Sequence, residues 1–278
     1  MRTRRLALAG AAGLVLATAG AGGWWLLHGR APAPRAEDDA ALPVPPVPPR
    51  IAEGGNYDRC LAMLTGDPEG AKGYAETWGA AGGGDAAVHC HALAEIGLGN
   101  AQTGAELLEH LAAASRDDNA TRASLYGQAG QAWMIAGDTA RAYAAATLAL
   151  SLDPDDPDLL LDHAVAAATL EHHQEAVTDL DHALEIEPRR TDALIYRAAA
   201  ERHLKHLELA QDDIDRALTL DPENADALLE RGILRQRQGD GAGARADWER
   251  ARELAPNTAT SDLAEQNLAL LEAGPDRR

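Results

Sequence analysis

Phenylalanine is absent from this chain, and aromatic residues of all kinds make up 4% of it, although 46% is hydrophobic. A core poor in large rings must be rich in leucine and alanine, which suits thin helices packed at close spacing. Basic residues are also scarce: 25 Lys and Arg stand against 44 Asp and Glu, a formal charge of −19. That shortage argues against a nucleic-acid partner, because phosphate neutralisation needs Lys and Arg. It suits a soluble acidic scaffold. No nucleophile elbow, phosphate loop or metalloprotease motif is present either. The acidic residues recur at helix surfaces, so an enzyme is the weaker class. No catalytic, cofactor-binding or metal-binding residue is assigned, and no cofactor is expected.

What the chain does have is a repeat. Pro154, Pro188, Pro222 and Pro256 are evenly spaced. Ahead of each, at constant offsets, stand Ala149, Ala183, Ala217 and Ala251, then Ala142, Ala176, Ala210 and Ala244, then Gly130, Ala164, Ala198 and Gly232. The units run over 123–156, 157–190, 191–224 and 225–258. Small residues early and midway in a unit let two antiparallel helices approach closely. The later alanine column lets the second helix pack on the next unit. The proline, which lacks an N–H, stops that second helix. Such units bury their apolar faces only by stacking.

These columns resemble the tetratricopeptide repeat (TPR) family, over roughly half of the chain. Its large first-helix positions fall on Tyr126, Leu160, Leu194 and Leu228; its large second-helix positions fall on Ala146, Leu180, Ile214 and Trp248, with the first unit departing from the pattern. The resemblance implies an all-α, right-handed solenoid of helix-turn-helix repeats. It also implies a concave groove lined by the first helices, whose residues would be Asp158, Leu161, Val165, Asp192, Ile195, Ala199, Asp226, Leu229 and Ile233. That set reads as an apolar stripe edged by aspartates. The Lys/Asn set with which some TPR clamps grip a carboxylate terminus is missing. An apolar peptide or helix with basic flanks is therefore the expected ligand, since the aspartates attract its charges.

Residues 1–30 read as a signal anchor or signal peptide. Arg2, Arg4 and Arg5 precede an apolar run from Leu6 to Leu27, long enough to span a bilayer. Trp24 and Trp25 near its end suit the interface, and the basic amino end places the bulk of the chain outside. The competing reading is cleavage after Ala17-Thr18-Ala19; Thr3-Arg4-Arg5-Leu6 also faintly resembles a twin-arginine signal. Either way a periplasmic location is expected, at the bacterial inner membrane if the segment is retained. Residues 31–50 are a Pro-rich linker, extended at about 3.1 Å per residue.

Residues 51–122 read as a degenerate helical segment, with helices near 57–65, 68–80, 85–98 and 101–115, of which 85–118 reads as a worn fifth repeat. The segment resembles the front part of exported bacterial TPR proteins. It holds the only two cysteines, Cys60 and Cys90, expected to pair in an oxidising compartment. Residues 259–278 supply a capping helix over 260–273 and a tail. Thr260 or Ser261 is its expected cap; Leu263, Leu268, Leu270 and Leu271 are its apolar face.

The remaining candidates for chemistry weigh toward structure. His163, Arg197 and Arg231 share one repeat position, with Asp179, Asp213 and Asp247 sixteen residues on. An Asp–His acid–base pair needs one copy, whereas an ion-pair ladder needs the repetition seen here. His172 and His206 share a turn position, with His173 and His203 nearby, and His89 and His91 flank Cys90; zinc would need three or four such groups on one point. The function expected is a non-catalytic scaffold, assembly or chaperone factor that binds a polypeptide segment. The alternatives are a cytochrome c maturation-like factor, a small-molecule or glycan binder using Tyr126, Trp133 and Tyr196, and an unrecognised hydrolase.

Overall fold

The computed structural model describes residues 50–273, so the expected anchor and most of the linker lie outside the described residues. Thirteen helices and no strand occur among those residues. The first four are α1 (Gly55–Met63), α2 (Pro68–Ala80), α3 (Gly84–Gly97) and α4 (Ala101–Ala114). Then follow α5 (Asn119–Ala136), α6 (Thr139–Leu152), α7 (Pro157–Thr169), α8 (His173–Ile186) and α9 (Thr191–His203). The last are α10 (Leu207–Leu220), α11 (Ala225–Arg237), α12 (Gly241–Leu254) and α13 (Ala259–Ala273). Each helix packs chiefly on its neighbours in the chain. The result is an all-α helical repeat solenoid. Among the described residues no helix is long and apolar enough to cross a membrane.

The repeat columns sit where close packing needs them. Ala142, Ala176, Ala210 and Ala244 are at most 1% exposed, and Ala149, Ala183, Ala217 and Ala251 are fully buried. Gly232 leaves room for the buried Trp248: a Cβ there would come within 2.3 Å of the indole nitrogen, which donates to the Leu229 carbonyl at 3.1 Å. In the first repeat the same glycine position, Gly130, faces Ala142, Ala145 and Ala146, so α5 and α6 simply lie close.

The turn inside the five hairpins from α3 to α12 is also periodic. Gly99, Gly137 and Gly239 have left-handed φ of 84°, 80° and 88°; the equivalent Glu171 and Lys205 take φ of 66° and 70° without glycine's freedom. The next residue caps the second helix. Asp138 and Asp240 accept from the backbone N–H groups of Arg141 and Gly243, whereas His172 and His206 make no side-chain cap bond. Thus the two turn histidines stand at N-cap positions.

The segment before the four repeats holds four helices, and α3 and α4, in the span read as a worn repeat, form a hairpin. α3 and α4 close tightly because Gly104 rests against the Ala92 carbonyl, where a Cβ would lie at 2.7 Å. α1 and α2 form a further pair, with α1 also touching α3. Its small core is Cys60, Ala75 and Cys90, flanked by Leu64, Tyr74 and Trp78. Two larger cores continue the solenoid, one from α3 to α7 and one from α7 to α13. At the far end Thr258, not Thr260 or Ser261, receives the first turn of α13, its hydroxyl accepting from Ser261 N–H at 3.3 Å. Leu268 is buried, but Leu270 points to solvent at 59% exposure.

Candidate docking face

The first helix of every hairpin, together with α13, forms a row: α1, α3, α5, α7, α9, α11, α13. The row is where the nine expected groove residues lie. Polar or covalent links cross each of its junctions. Cys60 of α1 is disulfide-bonded to Cys90 of α3, with Cα atoms 6.3 Å apart. Beside it the Tyr57 hydroxyl meets His89 Nδ1 at 2.6 Å, and His89 Nε2 meets Gln128 Oε1 of α5 at 2.8 Å. Gln128 Oε1 can only accept, so Nε2 carries the proton and Nδ1 accepts from Tyr57. Burial pushes His89 down to about 4, against which the Gln128 bond works only weakly.

Further along, Gln131 of α5 donates to Asp162 of α7 at 2.8 Å. Arg190, just before α9, holds Asp158 of α7 at 2.6 Å and Asp192 of α9 at 3.0 Å. Arg202 of α9 is fully buried and pairs with Glu230 of α11. Thr260 of α13 donates to Asp226 of α11. Of these links, only the disulfide was readable from the sequence. The others join residues about one repeat apart whose types differ from junction to junction, so no column announces them.

The nine groove positions divide by burial. Asp158, Asp192 and Asp226 are exposed. Leu161, Val165 and Ile233 are half-buried. Ile195, Ala199 and Leu229 are 6%, 4% and 8% exposed, and Ile195 and Leu229 belong to the core. Half of the expected apolar stripe is therefore buried. What remains accessible is a row of aspartates interrupted by three aliphatic side chains. The expected groove left out the residues that follow Leu161, Ile195 and Leu229, namely Asp162, Tyr196 and Glu230, which stand on the same helices. Burial, with Asp158 adding repulsion against the Gln131 bond, pushes Asp162 up to about 7. Burial and the carboxylates of Asp226, Asp192 and Asp162 push Tyr196 up to about 12.

The ladder position is occupied as its repetition implied. Asp213 takes two bonds from Arg197, and Asp247 two from Arg231. Arg197 also reaches back to Asp181 in the previous unit at 2.6 Å. In the second unit Asp179 meets His163 Nδ1 at 2.7 Å, and Nε2 lies 3.1 Å from the Thr147 hydroxyl. Asp179, His163 and Thr147 thus align like an acid–base–nucleophile chain. They occupy the same positions as Asp213, Arg197 and Asp181, which places them in a packing motif.

The histidines separate. His89 and His91 face different neighbours, Gln128 and Glu95. His173 stacks on His203, while His172 turns its edge to Tyr143 and His206 binds Glu201. Among the described residues no group of three or more His, Cys, Asp or Glu is placed to hold a metal ion. Nor are two of the three aromatic candidates open platforms. Tyr126 and Trp133 are 9% and 2% exposed; the Trp133 N–H donates to Glu109 and Arg141 lies over its ring. A polar hollow of about 540 Å³ beside that indole is lined by Gln102 and residues 136–141.

No protein-family model matches the sequence, and no curated protein matches it. Solved structures do. A chain of the APC/C hetero-tetramer Cut9–Hcn1 is similar at a TM-score of 0.60 and 18% identity, over 77% of this chain and 42% of that one. MamA (41-end) from Desulfovibrio magneticus RS-1 is similar at a TM-score of 0.51 and 20% identity, over 59% of this chain and 90% of that one. The fold is a tetratricopeptide-like solenoid. At such identities the likeness concerns the fold alone, and function has to be read from the residues. In this TPR-like frame the aspartate row belongs to the first helices of the hairpins, and Arg197 and Arg231 tie the α9–α10 and α11–α12 hairpins closed.

Proposed function

We propose that this chain is a non-catalytic interaction scaffold, working in assembly or chaperoning, that docks a polypeptide segment along the row of first helices. The observation that carries the reading is the exposed line of Asp158, Asp192 and Asp226 beside half-buried Leu161, Val165 and Ile233. A solenoid ties these residues to one continuous surface, and a segment with apolar positions and basic flanks complements it. The basic start and apolar run of residues 1–30 support tethering on the periplasmic side of a bacterial inner membrane, with residues 31–50 as spacer.

Two measurements test the proposal. Fractionation and protease protection of the full chain in cells read its placement; a protein found wholly in the cytosol refutes the tether. Crosslinking from Leu161, Val165 and Ile233, each replaced singly by a photoreactive residue, reads the face. A specific polypeptide adduct at these positions and none at Leu209 on α10 is expected. Equal labelling at both surfaces removes the docking face.

A further inference from the structure

We propose that the stacked rings of His173 and His203 form a pH-sensitive hinge between the second and third repeat hairpins, closed while both rings are neutral and released when His173 takes up a proton.

The contact is a junction between two units. The ring centroids lie 4.4 Å apart, with the planes 25° from parallel. His173 opens α8 and His203 closes α9, so the stack joins one hairpin to the next beside their turns. At the opposite end of α9, Arg190 ties the start of that helix to Asp158 of α7 at 2.6 Å. The helix is thus held by an ion pair at its start and by a ring stack at its end. Of the two, the stack is the one built from groups whose ordinary titration falls near neutrality. The Arg190 end remains as the pivot.

The surroundings make a proton on His173 disruptive. Its Nδ1 is buried and has no hydrogen-bond partner. A neutral ring tolerates this, because its proton can sit on Nε2. The imidazolium carries an N–H on both nitrogens, so one N–H would face no acceptor. The charged and titratable groups about the ring are Glu171 and His172 in the turn before α8, and Arg202 and His203 on α9. Arg202 is fully buried and pairs with Glu230 of α11. Burial holds His173 below its ordinary 6.5; Glu171 opposes this, while Arg202 and His172 add to it. The closed stack therefore binds protons less readily than the open one. It is favoured above about pH 6.5 and is lost as pH falls below that value.

The pair is confined to this junction. One unit earlier the equivalent positions hold Thr139 and Thr169, and one unit later Leu207 and Arg237. None of these side chains changes charge between about pH 5 and 8. At this position only the middle junction responds to protons, and the hairpins on either side swing as folded bodies.

The test measures distances between nitroxide labels in the full-length protein, with the native cysteines left in their disulfide. Cysteines introduced by Ile186→Cys and Leu209→Cys, both at exposed positions, report across the hinge; Leu148→Cys with Ile186→Cys reports on the junction before it. The first distance is expected to shift by a few ångström between pH 7.5 and pH 5.5, and the second to stay constant. His173→Phe, which keeps a stacking ring but cannot titrate, should hold the pH 7.5 distance at both values. In the unsubstituted ring, NMR should show His173 titrating below about 6.5 with the same midpoint as the distance change; this comparison stands even if the phenylalanine variant fails to fold. A constant distance across the hinge overturns the proposal. So does an equal shift in both label pairs, which would mean general expansion in acid. A shift that persists in His173→Phe, or whose midpoint differs from that of His173, overturns the role of the histidine.

Discussion

Arg197 binds both carboxylate oxygens of Asp213, at 2.7 Å through Nε and 2.6 Å through Nη2. Asp213 is 4% exposed, so this fork keeps a buried charge neutral between α9 and α10. Arg197→Ala leaves the carboxylate to Arg216 alone, at 3.2 Å. The expected loss is about 3 kcal/mol, since removing one partner strands the other. Arg197→Met with Asp213→Leu should lose clearly less. Urea midpoints of the two variants make the comparison, and equal losses would refute the ion-pair explanation.

Acid should loosen the first hairpins before the rest. His89 titrates near 4 in the fold, below its ordinary 6.5, because it is buried. The unfolded chain therefore takes up a proton that the native one refuses. Stability is full above about pH 6.5 and falls as pH drops toward 4, by about 3 kcal/mol in total from this group. His89→Gln keeps polar contacts to Tyr57 and Gln128 but cannot titrate. Its urea midpoint should change less than the wild type's between pH 7 and pH 4.5; identical slopes would show that His89 is not responsible.

Reduction should act on the same end. Cys60 and Cys90 close a loop of 30 residues, worth about 3.5 kcal/mol by chain entropy. α1 touches little beyond α2 and α3, so the bond supplies much of what holds it. Dithiothreitol should raise amide exchange in α1 and α2 while α7 to α12 stay protected. Two free thiols in the untreated, denatured protein would show that the bond does not form.

Glu171 and Lys205 hold left-handed φ of 66° and 70° at the turn where other hairpins use glycine. An L side chain there is strained by about 1 kcal/mol relative to glycine. Glu171→Gly and Lys205→Gly should each stabilise the protein by roughly that amount. The opposite change, Gly137→Ala, should destabilise it. Thermal or urea midpoints decide, and a loss of stability in both glycine variants would refute the assignment of strain.

The sequence by itself determined the hairpin repeat, the small residues where helices touch and the pairing partner available to each cysteine. It also determined the ladder position of His163, Arg197 and Arg231. Each of these follows from a local constraint repeated at one spacing: no room for a Cβ, a chain reversal, or an acid sixteen residues beyond a base. The tertiary structure alone decided what the first helices show to solvent. Ile195 and Leu229 carry the same residue types as Leu161, yet they are buried, because burial depends on how closely the next helix lies. Arg190, Gln131 and Arg202 join neighbouring helices through pairings that no column repeats. Tyr196 acquires its environment only when α7, α9 and α11 are stacked side by side, since it is pushed up by burial and by the carboxylates of Asp226, Asp192 and Asp162, one from each of the three helices.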